Sequence, residues 1–364
     1  MPRPDYIWRR FVVASPAGWW RVWRPIVKLE NVKVMSICHE DAPTTLTSEE
    51  IEARLEPTMS RLGIGAGIIR KLSGVEARQV WPQDLPPSAG ATVAAEKAIE
   101  AAGVDRSQVG VIVNTSVCRD YLEPATATII HGNLGLPSGC LNFDIANACL
   151  AFINGMQTVS NMIESGFVEY GLVVNSENTR HALEKTIERL RKPSATWEMF
   201  RDNFATLTLG CGAAAMVLGR SHGEPGEHKF LGGVTMAATQ YSRLCLGSAD
   251  RMVTNTKKLF HHGLEVALGT WEKAKEALGW TSGDLDHFIL HQVGKAHTET
   301  FARILGLDLA KVFRLYPRHG NIGPASVPIV LSKLNEAGKL RSGDRIALMG
   351  IGSGINCSMA EIVW

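Results

Sequence analysis

From about residue 29 onward, short runs of β-branched and other apolar residues alternate with Ala/Glu-rich or amphipathic stretches. That alternation predicts a layered α/β protein. Residues 47–62 predict a helix opened by Thr47 and Glu50, which stand at capping-box spacing. Residues 91–102 predict an Ala/Glu helix stopped by Gly103, and 109–113 read as a buried strand. A strand at 141–145 leads into a helix from about Cys149 to Glu164, ended by Gly166, and 171–174 form another strand. Residues 175–206 are charged and helix-prone, and 206–218 predict a hairpin of small residues around Gly210-Cys211-Gly212.

The plan then repeats. The run EKAIEAAG at 96–103 recurs as EKAKEALG at 272–279, a displacement of 176. The same displacement carries strand 109–113 onto 285–289 and Thr115 onto His291. At a displacement of 172, Glu164-Ser165-Gly166 matches Glu336-Ala337-Gly338, which superposes Cys149 on Asn321. Gly210-Cys211-Gly212 likewise resembles Gly352-Ser353-Gly354. Solenoid repeats have periods of roughly 20–50 residues, so a repeat this long implies two similar α/β halves about a pseudo-twofold axis. The first half spans 29–220 and holds Cys149; the second spans 221–364 and holds His291 and Asn321. Residues 219–232, rich in Gly, His and Glu, form the junction. Cys149 and Asn321 should begin equivalent helices, with His291 just past a strand. Sites in layered α/β proteins gather at the carboxyl ends of strands, so the three should converge.

Residues 1–28 stand apart. They hold Trp8, Trp19, Trp20 and Trp23, and Arg3, Arg9, Arg10, Arg21, Arg24 and Lys28 against the single acid Asp5. Their apolar stretch, residues 11–14, is too short for a signal peptide. The segment reads as a basic Trp/Arg arm, either without a role or made to touch a membrane surface or a partner.

Composition narrows the class. The 364 residues are 45% hydrophobic and 20% charged, which excludes a disordered, collagen-like or coiled-coil chain. A net charge of +2 gives no support to nucleic-acid binding, and no apolar run suggests a membrane span. Seven scattered cysteines without a CxxC pair argue against a disulfide framework or a zinc site. They point to a reducing, cytoplasmic setting.

Within this frame a few residues carry chemistry. Cys149, in NACLAF, sits where a helix N-terminus would lower a thiol pKa. The local sequence alone suits an inert buried cysteine better. His287 and His291 have i, i+4 spacing, yet the run between them suits a buried strand and lacks the glutamate of a metal helix motif, so no metal site is expected. Asn321, in HGNIGPAS, is either an N-cap or an amide donor to a carbonyl oxygen. Gly350-Ile351-Gly352-Ser353-Gly354 is neither a dinucleotide fingerprint nor a nucleophile elbow, and reads as a loop of backbone N–H donors that lets main chain approach a ligand.

These motifs together resemble the thiolase superfamily and, within it, the ketoacyl-synthase-III-like branch, over roughly residues 29–364. NTS…RDYLEP at 114–124, NACLAFINGM, GNIGPASVPIVLSKL and GIGSGINCSMAEIVW are most similar to the acyl-CoA condensing enzymes of bacterial long-chain olefin synthesis. The resemblance implies a five-layer αβαβα fold of two duplicated halves, and a Cys149/His291/Asn321 triad. It also implies Glu123 as an α-proton base delivered from the neighbouring subunit of a homodimer. The oxyanion would be held by the Cys149 N–H with the Ser353 and Gly354 backbone, the substrate would be fatty acyl-CoA, and no cofactor or metal is implied. A hydrolase, a ligase and a dehydrogenase are the implied pathway partners. Degradative thiolases carry a cysteine in the glycine loop and a histidine in place of Asn321; here Gly350 and Asn321 stand there, which disfavours thiolysis. A malonyl-using 3-oxoacyl-[acyl-carrier-protein] synthase III is the alternative. An HMG-CoA-synthase-like acetyl transfer and a non-catalytic scaffold are weaker ones.

Overall fold

The computed structural model describes residues 26–281 and 283–364. Most of the Trp/Arg arm, residues 1–25, lies outside these. Its last three residues, Ile26–Lys28, are a strand rather than part of an arm. They form β1, antiparallel to the strand at His228–Ala237.

The first half contains β2 (Val32–Asp41), β3 (Thr44–Thr47), α1 (Ser48–Arg61), α2 (Ile68–Ser73), β4 (Ala77–Val80) and α3 (Pro87–Ala102). It continues with β5 (Val109–Asn114), α4 (Thr126–Leu134), β6 (Leu141–Asp144), α5 (Ala151–Glu164) and β7 (Tyr170–Glu177). After α6 (Arg180–Leu190) and α7 (Trp197–Asn203) it ends on β8 (Gly212–Arg220). The second half opens with β9 (His228–Ala237), the hairpin β10 (Cys245–Ser248) and β11 (Arg251–Thr254), and α8 (Thr256–Leu278). Then come β12 (His287–Leu290), α9 (Lys295–Leu305), α10 (Tyr316–His319), α11 (Ser326–Glu336), β13 (Arg345–Gly352) and β14 (Asn356–Val363).

The main strands follow the order β12-β13-β14-β9-β2-β8-β7-β5-β6. The two halves join where Lys33 and Val34 of β2 pair with Lys229 and His228 of β9. In each half a strand pair is parallel (β5 with β7, β12 with β13) and an antiparallel strand follows (β8, β14).

The strands read as continuous apolar runs because both faces are buried. On β8, Ala213, Ala215 and Val217 face α3 on one outer side, while Ala214, Met216 and Leu218 face α5 and α11 inside. On β13, Ala347 and Met349 face α8 and α9 on the opposite outer side, and Ile346 and Leu348 face inward. The layers are therefore α3/α4, sheet, α5/α11, sheet, α8/α9, the thiolase-like five-layer arrangement. Small residues let the outer helix come close: a Cβ on Gly90 of α3 would stand 2.6 Å from the Ser176 hydroxyl. A separate cap of α1, α2, α6 and α7 packs on its own cluster of Ile51, Leu55, Ile69, Leu183 and Ile187.

Local signals behave as their chemistry requires. Thr47 and Glu50 form both bonds of a capping box on α1. α3 and α8 both end on glycines with left-handed φ, Gly103 and Gly279. The small-residue segment 206–218 is not a hairpin. Its start completes a 3-10 turn, Phe204–Thr208, and the rest is β8, which pairs with β7 and β2.

Candidate active site

Cys149 lies at the centre of a 3-10 turn, Ala148–Leu150, that runs into α5. The turn Gly323–Ala325 runs into α11 in the same way. The two turns correspond at a displacement of 175, not 172, because α11 has 11 residues and α5 has 14. Asn321 therefore precedes its turn, whereas Cys149 sits inside one.

The Cys149 turn is held under strain and from two sides. Ala148 has φ 45°, a left-handed value disfavoured for a residue with a Cβ. The Asn147 amide donates to Asn154 Oδ1 at 2.7 Å on α5 and accepts from Asn356 Nδ2 at 3.0 Å at the start of β14. Gly350 and Gly352 belong to β13 and face this turn. A Cβ on Gly350 would stand 2.5 Å from Leu150 Cδ2, and one on Gly352 would stand 3.2 Å from the Cys149 nitrogen. Ser353 and Gly354 follow in the tight β13–β14 connection, with Gly354 at φ 134°.

The thiol does not follow the helix-end expectation. Burial pushes Cys149 up to about 12, with smaller contributions from Cys245 on β10 and Glu177 on β7; its own backbone N–H opposes the rise. Desolvation of the thiolate outweighs the favourable helix end. Cys149 is thus a neutral thiol at pH 7.

His291 lies immediately after β12, and its N–H donates to Met349 O of β13 at 2.8 Å. It is 3% exposed, and burial lowers its pKa to about 4, opposed by the Gly323 backbone. The imidazole is neutral at pH 7. Gln292 fixes the next stretch: its Nε2 donates to Phe313 O, and its Oε1 accepts from Leu315 N and Tyr316 N.

Asn321 is tied into the first half. Its N–H donates to Thr208 O at 2.9 Å, and its carbonyl accepts from Gly210 N at 2.9 Å. The side-chain Oδ1 accepts from Gly323 N at 3.0 Å, which leaves Nδ2 as the group that can donate outward. Gly210 and Gly320 are required where these loops cross, because a Cβ on Gly210 would overlap His319 O at 1.9 Å. Gly323 is thus shared: its backbone touches His291 and Asn321, and Glu177 Cγ lies 3.7 Å from a Cβ built on it.

Glu177 was not singled out by sequence reasoning. It is 2% exposed at the end of β7, and burial raises it to about 7 against the hydrogen bonds it accepts. A polar run, Asn175-Ser176-Glu177-Asn178, at the carboxyl end of a buried strand was the available signal.

Glu123 is not beside the other three residues in its own chain. It is exposed at the tip of the loop 115–125, next to Leu122, which is 96% exposed.

The fold and this constellation define a thiolase-like condensing enzyme. The family described as 3-oxoacyl-[acyl-carrier-protein (ACP)] synthase III matches residues 143–237, and its C-terminal part matches 275–364. An acyl-CoA:acyl-CoA alkyltransferase of Xanthomonas campestris pv. campestris is 52% identical over 92% of this chain and 99% of its own. A variant of Xanthomonas campestris OleA solved with bound lauric acid and lauroyl-CoA has TM-score 0.91 and 52% identity, covering 92% of this chain and 100% of that one. A β-ketoacyl-[acyl-carrier-protein] synthase III of Rickettsia typhi is 28% identical over 81% of this chain and 90% of its own. The chain belongs to the synthase-III-like family of the thiolase superfamily, and within it to the acyl-CoA:acyl-CoA alkyltransferases typified by OleA. It is an acyltransferase. Among the described residues, no helix is long and apolar enough to cross a membrane.

Proposed function

We propose that this chain joins two long-chain fatty acyl-CoA molecules by a non-decarboxylative Claisen condensation, giving a 2-alkyl-3-keto acid, the first step of long-chain olefin synthesis. It works as a cytoplasmic homodimer. What supports the reading is the convergence of Cys149, His291 and Asn321 on the turns at Gly352 and Gly323, together with the kinship to an acyl-CoA:acyl-CoA alkyltransferase.

In the first step the Cys149 sulfur attacks the thioester carbonyl of one acyl-CoA, and CoA leaves as the thiol. The neutral His291 imidazole carries the Cys149 proton to the departing sulfur. The Cys149 N–H and the backbone at Ser353 and Gly354 hold the oxyanion. A second acyl-CoA then places its carbonyl oxygen against His291 and the Asn321 Nδ2. The partner subunit's Glu123 takes the α-proton. The resulting carbanion attacks the acyl-Cys149 carbonyl, leaving a 2-alkyl-3-ketoacyl-CoA and expelling the Cys149 thiolate, which regains a proton as the partner subunit's Glu123 gives up the one it took. Water then releases CoA and the keto acid.

The carboxylate separates this chemistry from a malonyl-using synthase. Loss of carbon dioxide creates a carbanion without a base, whereas an unactivated acyl-CoA must be deprotonated by a placed one. Incubating the enzyme with myristoyl-CoA alone, with no malonyl-CoA, should yield a keto acid carrying both chains by mass spectrometry. Product formation only with malonyl-CoA, with release of its labelled carboxyl as carbon dioxide, would move the protein to the synthase III reaction.

A further inference from the structure

Glu177 joins two parts of the molecule that the condensation keeps apart. Its carboxylate accepts from Val117 N through Oε1 at 2.8 Å and from Cys118 N through Oε2 at 3.0 Å, both at the root of the loop that carries Glu123. Asn175 Nδ2 also donates to Oε1, at 3.4 Å. The root is also fastened by Ser116 Oγ, which donates to Asn114 Oδ1 at 2.7 Å and accepts from Ser176 N at 2.9 Å. Further along the loop, Asp120 accepts from Ser88 N at 2.9 Å and from the Ser88 hydroxyl. Between this second anchor and Pro124, Tyr121, Leu122 and Glu123 project outward and are exposed.

We propose that Glu177 is the positioning residue for Glu123: it clamps the loop root in its own chain so that the tip reaches the neighbouring subunit's site. The inference rests on the reading that Glu123 acts across the dimer. A carboxylate suits the task because its two oxygens accept from two adjacent N–H groups at once. Glutamine keeps the size but offers one oxygen, and its NH₂ would face the other N–H. The side chain costs desolvation where it stands, which its raised pKa of about 7 reflects. Packing alone would be better served by an apolar residue. The titratable groups around it are Cys118 on the loop and Cys149 on the nucleophile turn.

The rival role is local. Glu177 also stands beside Cys149 and Gly323, so it could serve the site of its own chain instead. Mixed dimers separate the two. Glu177→Gln homodimers should still acylate Cys149 and release one CoA, while condensation falls about 10²-fold, the loss expected when a reacting group is misplaced by about 1 Å. In a mixed dimer with Cys149→Ala, the one intact Cys149 sits on the Glu177→Gln chain and receives its base from a loop whose Glu177 is intact. That dimer should recover as much condensation as the control pair Cys149→Ala with Glu123→Ala. The pair Glu177→Gln with Glu123→Ala should recover none. If Glu177→Gln does not fold, Glu177→Asp takes its place in the same arms.

Undiminished condensation by the Glu177 variant would overturn the proposal. So would a silent Glu177→Gln/Cys149→Ala dimer beside an active control, since Glu177 would then act in its own subunit's site. A silent control would instead sink the reading that Glu123 acts across the dimer, and the proposal with it.

Discussion

Gly352 abuts Cys149 so closely that a Cβ placed on it would stand 3.2 Å from the Cys149 nitrogen and 3.5 Å from Ala148 Cβ. The glycine strand of the second half is thus the floor on which the Cys149 turn of the first half rests. The neighbour that would have to yield is main chain, already strained at Ala148. Gly352→Ala is therefore expected to keep the fold and shift the Cys149 turn by a few tenths of an ångström. The single-turnover release of CoA should slow by about 10–10²-fold, since acylation depends on the alignment of sulfur and oxyanion donors. Acylation at the wild-type rate would show that the turn accommodates the methyl group freely.

Much of this arrangement was legible in the sequence. The repeat of EKAIEAAG placed α3 opposite α8 and set Thr115 and His291 each just beyond a strand end. The capping box and the terminal glycines are local chemistry, and local chemistry can be read from neighbours in the chain. What could not be read was contact between distant segments. Gly350 and Gly352 look like a ligand loop by composition, but their small size serves a turn two hundred residues away. A helix end by itself would acidify the thiol, and burial reverses that, a quantity that only the assembled layers determine. The meaning of Glu177 is not local either: it lies in the hydrogen bonds it accepts from the backbone N–H groups of Val117 and Cys118.

The protonation states give a pH profile for the free enzyme. Cys149 is pushed up to about 12 and His291 down to about 4, so neither titrates near neutrality. Alkylation of Cys149 by iodoacetamide should rise about tenfold per pH unit from pH 7 to 10, following the thiolate fraction. Peptide mass spectrometry would read it at this cysteine. A plateau near pH 7 would reveal a thiolate–imidazolium pair instead.

Acid stability should carry the mark of His291. Its folded pKa of about 4 lies below the ordinary value of 6.5, so the unfolded chain binds the proton first. Stability from this group is complete above pH 6.5 and falls as pH drops toward 4, by up to about 3 kcal/mol. His297, lowered to about 3, adds to the same trend. In urea titrations at pH 7 and pH 4.5, His291→Asn should lose less stability between the two than the parent enzyme. An equal loss would mean that other groups govern acid unfolding.

Cys149→Ala tests the nucleophile directly. It removes a sulfur from a turn whose shape is held by Asn147, Asn154 and Asn356, so the fold should persist. Intact-protein mass spectrometry after exposure to acyl-CoA should show no acyl adduct on the variant and one on the parent. Replacement of Cys140, Cys211 or Cys357, each buried in a hydrophobic layer, should leave the adduct in place. An adduct on Cys149→Ala would remove the mechanism.

Glu123→Gln separates the base from the nucleophile. Glutamine keeps the length of the side chain and one acceptor oxygen while losing the basic one, and at an exposed loop tip it disturbs no packing. Cys149, His291 and Asn321 are untouched, so the first acyl transfer should proceed and one CoA per site should appear as a burst. The α-proton of the second acyl-CoA would then have no acceptor of suitable strength. Condensation should fall by about 10²–10⁴-fold, the usual contribution of a general base. The acyl-enzyme should accumulate and be visible by intact mass. If the base comes from the neighbour, a mixed dimer with Cys149→Ala should regain condensation at one of its two sites. Wild-type condensation by Glu123→Gln would assign the proton to another group, with His291 next in line, and would favour a malonyl-derived carbanion.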